Sequence, residues 1–269
     1  MWAPRRFAVV ALGAGLATLT TVGSAGAAQL VYSSNQVAGT VSVNDAATGG
    51  PVGPDIVVGG APRGLAVSPD GSEIYVANLA TNSVSVIDAA TRSLVATVPV
   101  GAFPLNVAPS PDGDRLYVTN AVSNSVSVID TSTDAVVATV PVSGAPYGIA
   151  VAPDGDRAYA VAQGGNRVAV IDTETATVVD SFPVGGAPLF AAFTPDGTRL
   201  FVASQTNGLW ALDPGTGTVT GTVGPPGGVD VSVTRDGETV YGSSTSVISE
   251  IDLPGLSGRQ SQLDELSHC

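Results

Sequence analysis

The chain has 269 residues, including 33 Gly and 19 Pro; 44% are hydrophobic, 12% are charged, and the formal net charge is −13. That length supports one large domain with a well-buried interior, and so acidic a surface repels nucleic acid and anionic lipid in general. The only Cys is the last residue, Cys269, which excludes an internal disulfide framework.

Residues 1–28 read as a signal peptide. Arg5-Arg6 gives a positive start, Phe7 to Thr20 is apolar and uncharged, and Ala25-Gly26-Ala27 supplies small residues for cleavage near Ala27 or Ala28. The apolar run is short for a membrane span of about 20 residues. The expected location is therefore secreted or cell-envelope, with membrane contact only during export. Loss of Arg5 and Arg6 leaves eight Arg and no Lys against 23 Asp and Glu, a net charge of about −15.

From residue 29 one unit recurs. Its aromatic opener falls at Tyr32, Tyr75, Tyr117, Tyr159, Phe201 and Tyr241, spaced 43, 42, 42, 42 and 40 residues apart. An Asp closes a Val-x-Val-Ile-Asp run at Asp88, Asp130 and Asp172, with variants at Asp45, Asp213 and Asp252. A Pro-Asp-Gly turn carries Asp70, Asp112, Asp154 and Asp196 and relaxes at Asp236, and a Gly-rich loop carries Pro62, Pro104, Pro146 and Pro188. Periods of this size denote solenoids or propellers. Within a unit the apolar spacing is two, so the elements are strands. Residues 104–142 predict four: Asn106 to Ser110, Arg115 to Asn120, Ser125 to Asp130 and Ala135 to Val142. Pro presets φ, Asp bonds nearby N–H groups and Gly takes positive φ, which explains the Pro-Asp-Gly turn. Four short antiparallel strands per unit predict an all-β propeller. Small residues at Ala66, Ala108, Ala150, Ala192 and Ser232 suit an innermost strand crowded about an axis.

These units resemble the YVTN β-propeller repeat family of exported and surface-layer proteins. The motif is literal at Tyr117-Val118-Thr119-Asn120, with near copies at Tyr75-Val76-Ala77-Asn78 and Phe201-Val202-Ala203-Ser204. The resemblance spans about residues 30–252 and implies four-stranded antiparallel blades. Relatives range from scaffolds to lactonases and haem or quinone oxidoreductases, so fold alone assigns no activity.

Five to six blades are expected over residues 29–252. The count gives 22 strands, because the first blade shows only its second to fourth strands and the last only its first to third. Residues 253–269 leave the repeat and hold the sole His, His268, and Cys269. Two readings stand: a natural tail on an open or irregular ring, or a chain shortened relative to a longer propeller. An open ring exposes edge strands, and self-association is the expectation.

No His lies in the repeats, and there is no haem-attachment motif, Cys/His metal cluster or Gly-rich phosphate loop. No catalytic set, cofactor or metal site is expected. The recurring Asp residues are turn formers rather than a Ca²⁺ ring, since every unit needs the turn.

Functional residues on a repeat scaffold break the repeat. Loops joining blades and loops between second and third strands share one mouth. The first set offers Arg63, Phe103, Leu105, Asn106, Tyr147, Leu189 and Phe190; the second offers Gln163, Asn166, Arg167, Gln205 and Asn207. Aromatics and Arg favour contact sites, although aromatics after Pro also plug inter-blade space. Trp210 reads as inter-blade packing, and Asp230 as a non-repeated carboxylate near the channel. The expected function is non-catalytic binding of a protein, glycan or envelope component. The alternatives are a lactonase-like hydrolase with a carboxylate/Arg site in the channel, with or without a metal, and an inactive fragment.

Overall fold

The computed structural model describes residues 21–22, 29–223, 227–244 and 248–253; most of the signal-peptide segment and the tail beyond Leu253 lie outside them. The described strands form six sheets, each an antiparallel meander in chain order. Blade 1 holds β1 (Thr21–Val22), β2 (Leu30–Asn35), β3 (Thr40–Asp45) and β4 (Ile56–Val57). Blade 2 holds β5 (Pro62–Val67), β6 (Glu73–Asn78), β7 (Ser83–Asp88) and β8 (Ser93–Pro99). Blade 3 holds β9 (Pro104–Pro109), β10 (Arg115–Asn120), β11 (Ser125–Asp130) and β12 (Ala135–Pro141). Blade 4 holds β13 (Pro146–Val151), β14 (Arg157–Ala162), β15 (Arg167–Asp172) and β16 (Thr177–Pro183), with a 3-10 turn at Gln163–Gly165. Blade 5 holds β17 (Pro188–Phe193), β18 (Leu200–Ser204), β19 (Gly208–Leu212) and β20 (Val219–Val223), and blade 6 holds β21 (Asp230–Val233), β22 (Thr239–Ser243) and β23 (Ile248–Asp252). The architecture is a six-bladed β-propeller.

The Asp residues are turn formers throughout. Asp70 Oδ1 accepts from Ser68 Oγ at 2.6 Å and from the Ser72 N–H at 3.0 Å. Asp88 Oδ1 accepts from the Thr91 N–H at 2.6 Å and from Thr91 Oγ1 at 2.7 Å. Such bonds favour the ionised carboxylate, and the Ser68 hydroxyl followed by the Ser72 amide holds Asp70 down to about 2.

Each blade buries two apolar faces, one against each neighbour. The front of blade 3 (Tyr117, Val126, Val128, Val140) packs on blade 4 (Ile149, Ala158, Ala160, Ile171). Its rear (Leu116, Val118, Ile129) packs on the front of blade 2 (Tyr75, Val84, Val86, Val98). The pattern repeats between blades 1 and 2, 4 and 5, and 5 and 6, where Leu253 is buried in the core rather than set apart with the tail.

The two ends differ. Tyr32 pairs with Val43 in the register in which Tyr117 pairs with Val128, so the rear positions held by Val118 and Ile129 in blade 3 fall to Ser33 and Asn44 in blade 1. Asn35 Nδ2 donates to Ser42 Oγ at 2.7 Å, and Ser42 Oγ donates to the exposed Asp55 Oδ1 at 2.7 Å. In blade 2 the matching hydroxyl, Ser85 Oγ, instead donates back to Val58 O of blade 1 at 2.7 Å. At the other end Glu250 pairs with Tyr241 where Val128 pairs with Tyr117. Among the described residues no hydrophobic cluster joins blade 6 to blade 1.

Two expectations are corrected. The first blade is four-stranded, because Thr21 pairs with Val31 and Val22 with Leu30. That strand falls inside the segment read as a signal peptide, so the fourth strand exists only while the segment is retained. The innermost strand β9 starts at Pro104, two residues early, because a bulge lets Pro104 pair with Asn120 while Asn106 pairs with Thr119.

Tyr117→Ala empties a site 2% exposed between two blades, and is expected to cost about 3–5 kcal/mol. Tyr241→Ala, on the half-buried front of the end blade, should cost less. Urea unfolding of both variants measures this, and equal losses would contradict a cost set by the burial of the two tyrosines.

Candidate binding face

The blade-connecting loops and the second-to-third-strand turns meet at one mouth, here the upper one. The Ala121 N–H donates to Phe103 O at 3.0 Å and the Ser123 N–H to Ala102 O at 3.3 Å. Asparagines fasten each loop to the preceding turn. Asn82 Oδ1 accepts from the Phe103 N–H at 2.9 Å, Asn124 Oδ1 from Gly144 and Ala145 at 3.1 and 2.9 Å, and Asn166 Oδ1 from Ala187 at 2.9 Å. These three residues sit at φ 52°, 50° and 49°, a left-handed conformation that Asn tolerates well. Asn166 is therefore a loop fastener rather than a free contact group.

The eight principal candidates divide into two groups. Arg63, Asn106, Tyr147 and Phe190 lie on the innermost strands, whereas Phe103, Gln163, Arg167 and Gln205 lie on the rim. Each inner-strand residue opposite the aromatic opener fixes the register, which puts Gly64, Asn106, Gly148, Phe190 and Asp230 at one equivalent position. Glycine there has a steric cause: a Cβ on Gly64 would lie 2.6 Å from Leu105 O and 2.7 Å from Asn106 Cα. Glycine thus holds this position in blades 2 and 4, and larger side chains hold it in blades 3, 5 and 6. Leu105, Leu189 and Phe190 are buried, Phe190 to 7% exposure, and act as packing.

Arg63 and Tyr147 reach across the mouth. Arg63 Nη2 donates to Tyr147 OH at 3.1 Å, from blade 2 to blade 4 over the intervening blade 3. The Tyr147 ring meets Phe190 edge-on, with centroids 5.3 Å apart and planes at 89°. Thr119 Oγ1 holds Tyr147 O at 2.7 Å, and Ser34 Oγ holds Arg63 O at 2.8 Å. Arg63 Nε is buried and has no acceptor. The ion pairs among the described residues are Arg115–Asp130 at 2.7 Å and Arg157–Asp172 at 2.5 Å, so this half-buried guanidinium has no carboxylate partner.

On the rim Phe103 stands out. The loop position before each Pro is left-handed in four blades, at Ala61, Phe103, Ala145 and Ala187 (φ 55°, 64°, 52° and 52°). A bulky residue costs more there than Ala, yet Phe103 keeps its ring 40% exposed. Gln163 opens the 3-10 turn, and Arg167 and Gln205 are exposed.

Asp230 opens β21 near the channel. Burial pushes its carboxyl up to about 6, partly offset by the Val231 N–H, which donates to its Oδ1 at 2.8 Å. No Arg among the described residues bridges it. At the opposite mouth the structure adds Asp134, absent from the sequence-based candidates. Its carboxyl is raised by burial and its Oδ1 has no donor. The available signal was its departure from Arg92 and Ala176 at the same left-handed turn position. Trp210 packs between blades 4 and 5, as expected.

A family model described as YNCE-like beta-propeller matches residues 107–198, and one described as a 7-bladed beta-propeller lactonase matches residues 27–139. The chain is a β-propeller. No curated protein matches it. Solved structures similar to it include hydrazine synthase of Kuenenia stuttgartiensis, at 22% identity over 83% of this chain and 92% of that one, TM-score 0.62. A functionally unknown protein of Desulfotomaculum acetoxidans DSM 771 aligns at 14% identity over 90% of this chain and 84% of that one, TM-score 0.72. At these identities the likeness concerns the fold alone.

Asp230 gives this β-propeller a checkable pH signature. Its folded value of about 6 exceeds the unfolded value near 3.9, so the folded state binds the extra proton between them. Its contribution is present at low pH and is lost as pH rises through about 6. Asp230→Asn should raise the urea midpoint at pH 7, leave it unchanged near pH 3 and flatten the difference between; an equal shift at both pH values would refute the assignment.

Proposed function

We propose that this is an exported, non-catalytic binding propeller that engages a protein, glycan or other envelope component at its upper mouth, and that its repeat is of the YVTN type carried literally by Tyr117–Asn120. One observation carries the site: the Arg63 guanidinium reaches across to Tyr147 with a buried Nε unsatisfied and no carboxylate partner among the described residues. A buried donor left unpaired costs about 1–3 kcal/mol, and an acceptor on a bound partner would relieve it. The exposed Phe103 ring and Arg167 on the same rim supply the aromatic and cationic contacts that dominate binding surfaces. Nucleic acid and anionic lipid do not fit a chain of this charge.

A second reading has a specific observation in its favour. Asp230, held near pH 6 beside the channel, is poised as a general base, and a lactonase propeller model matches the N-terminal half. A lactone-hydrolysis screen with metal analysis addresses it; turnover abolished by Asp230→Asn would replace the binding reading with a hydrolase.

Alanine at Arg63, Tyr147 and Arg167 should each reduce capture of a defined envelope partner, with Arg63→Ala costing about 10-fold or more in affinity. Capture measured by surface plasmon resonance and unchanged in all three variants would remove the upper mouth as the binding site.

A further inference from the structure

Arg63, Asn106 and Tyr147 stand on the innermost strands of blades 2, 3 and 4. All three are half-buried rather than sealed. Their hydrogen-bonding capacity is unevenly used. Arg63 Nη2 donates to Tyr147 OH at 3.1 Å, while the Nε–H has no acceptor among the described residues; a guanidinium carries further N–H donors besides. The Tyr147 oxygen accepts that bond, so its own proton is left without an acceptor among the described residues. Asn106 meets Thr119 through its main chain, at 3.1 Å from its N–H and 3.4 Å to its carbonyl. Its side-chain Nδ2 lies 3.2 Å from where a Cβ on Gly64 would stand, beside the residue that follows Arg63. The centre of the mouth thus holds a surplus of donors.

These donors are fixed before any ligand arrives. Phe190 meets the Tyr147 ring edge-on at 5.3 Å, and Thr119 Oγ1 holds Tyr147 O at 2.7 Å. Nor does the acidic chain forbid an anion here. Asp112 and Asp130 sit at the far end of the six-residue strand β10, about 20 Å along it. That exceeds the Debye length of about 8 Å at physiological ionic strength, so their field at the upper mouth is largely screened. Among the described residues no carboxylate is within ion-pair distance of Arg63, Asp230 included.

We infer that Arg63, Asn106 and Tyr147 form a subsite for a single carboxylate group, an inference that rests on the upper mouth being the binding face. A carboxylate only accepts hydrogen bonds, and its planar pair of oxygens matches the guanidinium fork. Such charge-assisted bonds are about twice as strong as neutral ones. The single guanidinium balances one carboxylate, whereas a phosphate, at about −1.5 to −2, leaves excess negative charge in a chain already at −13.

Amide NMR of the full chain tests this, with N-acetylphenylalanine, its uncharged amide, glucuronate and inorganic phosphate as probes at millimolar concentration. Shifts should cluster at 62–65, 104–106 and 146–148. The acid should bind about 10-fold or more tightly than the amide, the worth of hydrogen bonds to a charged group, and more tightly than phosphate. Arg63→Gln should remove the preference for acid over amide. Tyr147→Phe keeps the ring against Phe190, should weaken the acid about 2- to 10-fold, and serves as the second variant should Arg63→Gln fail to fold. Arg115→Ala, at the opposite mouth, should change nothing. Glucuronate binding as tightly as the acid would support recognition of the carboxylate alone; weaker binding than the acid would support a carboxylate carried beside an apolar group. No clustered shift with any probe, or an acid preference that survives both Arg63→Gln and Tyr147→Phe, would overturn the subsite. Equal binding of acid and amide, lost in Arg63→Gln, would overturn it while keeping the mouth as the binding face, an outcome distinct from unchanged partner capture, which removes the mouth itself.

Discussion

Every blade depends on burial of apolar surface on both faces of a twisted sheet. Tyr117, Val126 and Val128 on one side and Leu116, Val118 and Ile129 on the other are covered only by the neighbouring blades. Hydrophobic burial of this kind is proportional to area and indifferent to chemistry. It spends nearly all the repeated residues on scaffold. What remains for recognition is where the repeat cannot bury itself: the axis and the rims of the mouths.

The axis and the rim solve different problems. Around the axis, Gly64 and Gly148 stay small because a Cβ there would press on the backbone of the next inner strand, at Leu105 and Leu189. Arg63 and Tyr147 meet over blade 3. At the rim, the asparagine side-chain carbonyls accept from loop N–H groups and tie each loop to the turn beside it, so the loops are held by these bonds as well as by packing. A partner at this mouth meets a surface whose conformational entropy is already spent.

The strands were legible because period-two patterning and Pro-Asp-Gly turns are local signals; β10 and β11 fall at the expected residues. The two-residue β1 was not, since Thr21–Val22 sits at the end of an apolar run without periodicity. Pro104 reads as part of the Gly-rich loop, and only the bulge that pairs it with Asn120 brings it into β9. At the candidate site, the type of residue was legible and its use was not. Asn166 and Arg63 both read as polar contact groups, yet one fastens a loop while the other spans the mouth to a residue 84 positions away. The identical β7 and β11 (Ser-Val-Ser-Val-Ile-Asp) mark the limit plainly: Ser85 Oγ donates to Val58 O of the neighbouring blade, whereas Ser127 Oγ bonds Asn120 Nδ2 of its own blade.

The distribution of apolar clusters has a mechanical consequence. Among the described residues blades 2 to 5 each share a cluster with both neighbours, whereas blades 1 and 6 each share one. A blade covered on both faces must expose more apolar surface before it opens, so amide protons of blades 3 and 4 exchange last.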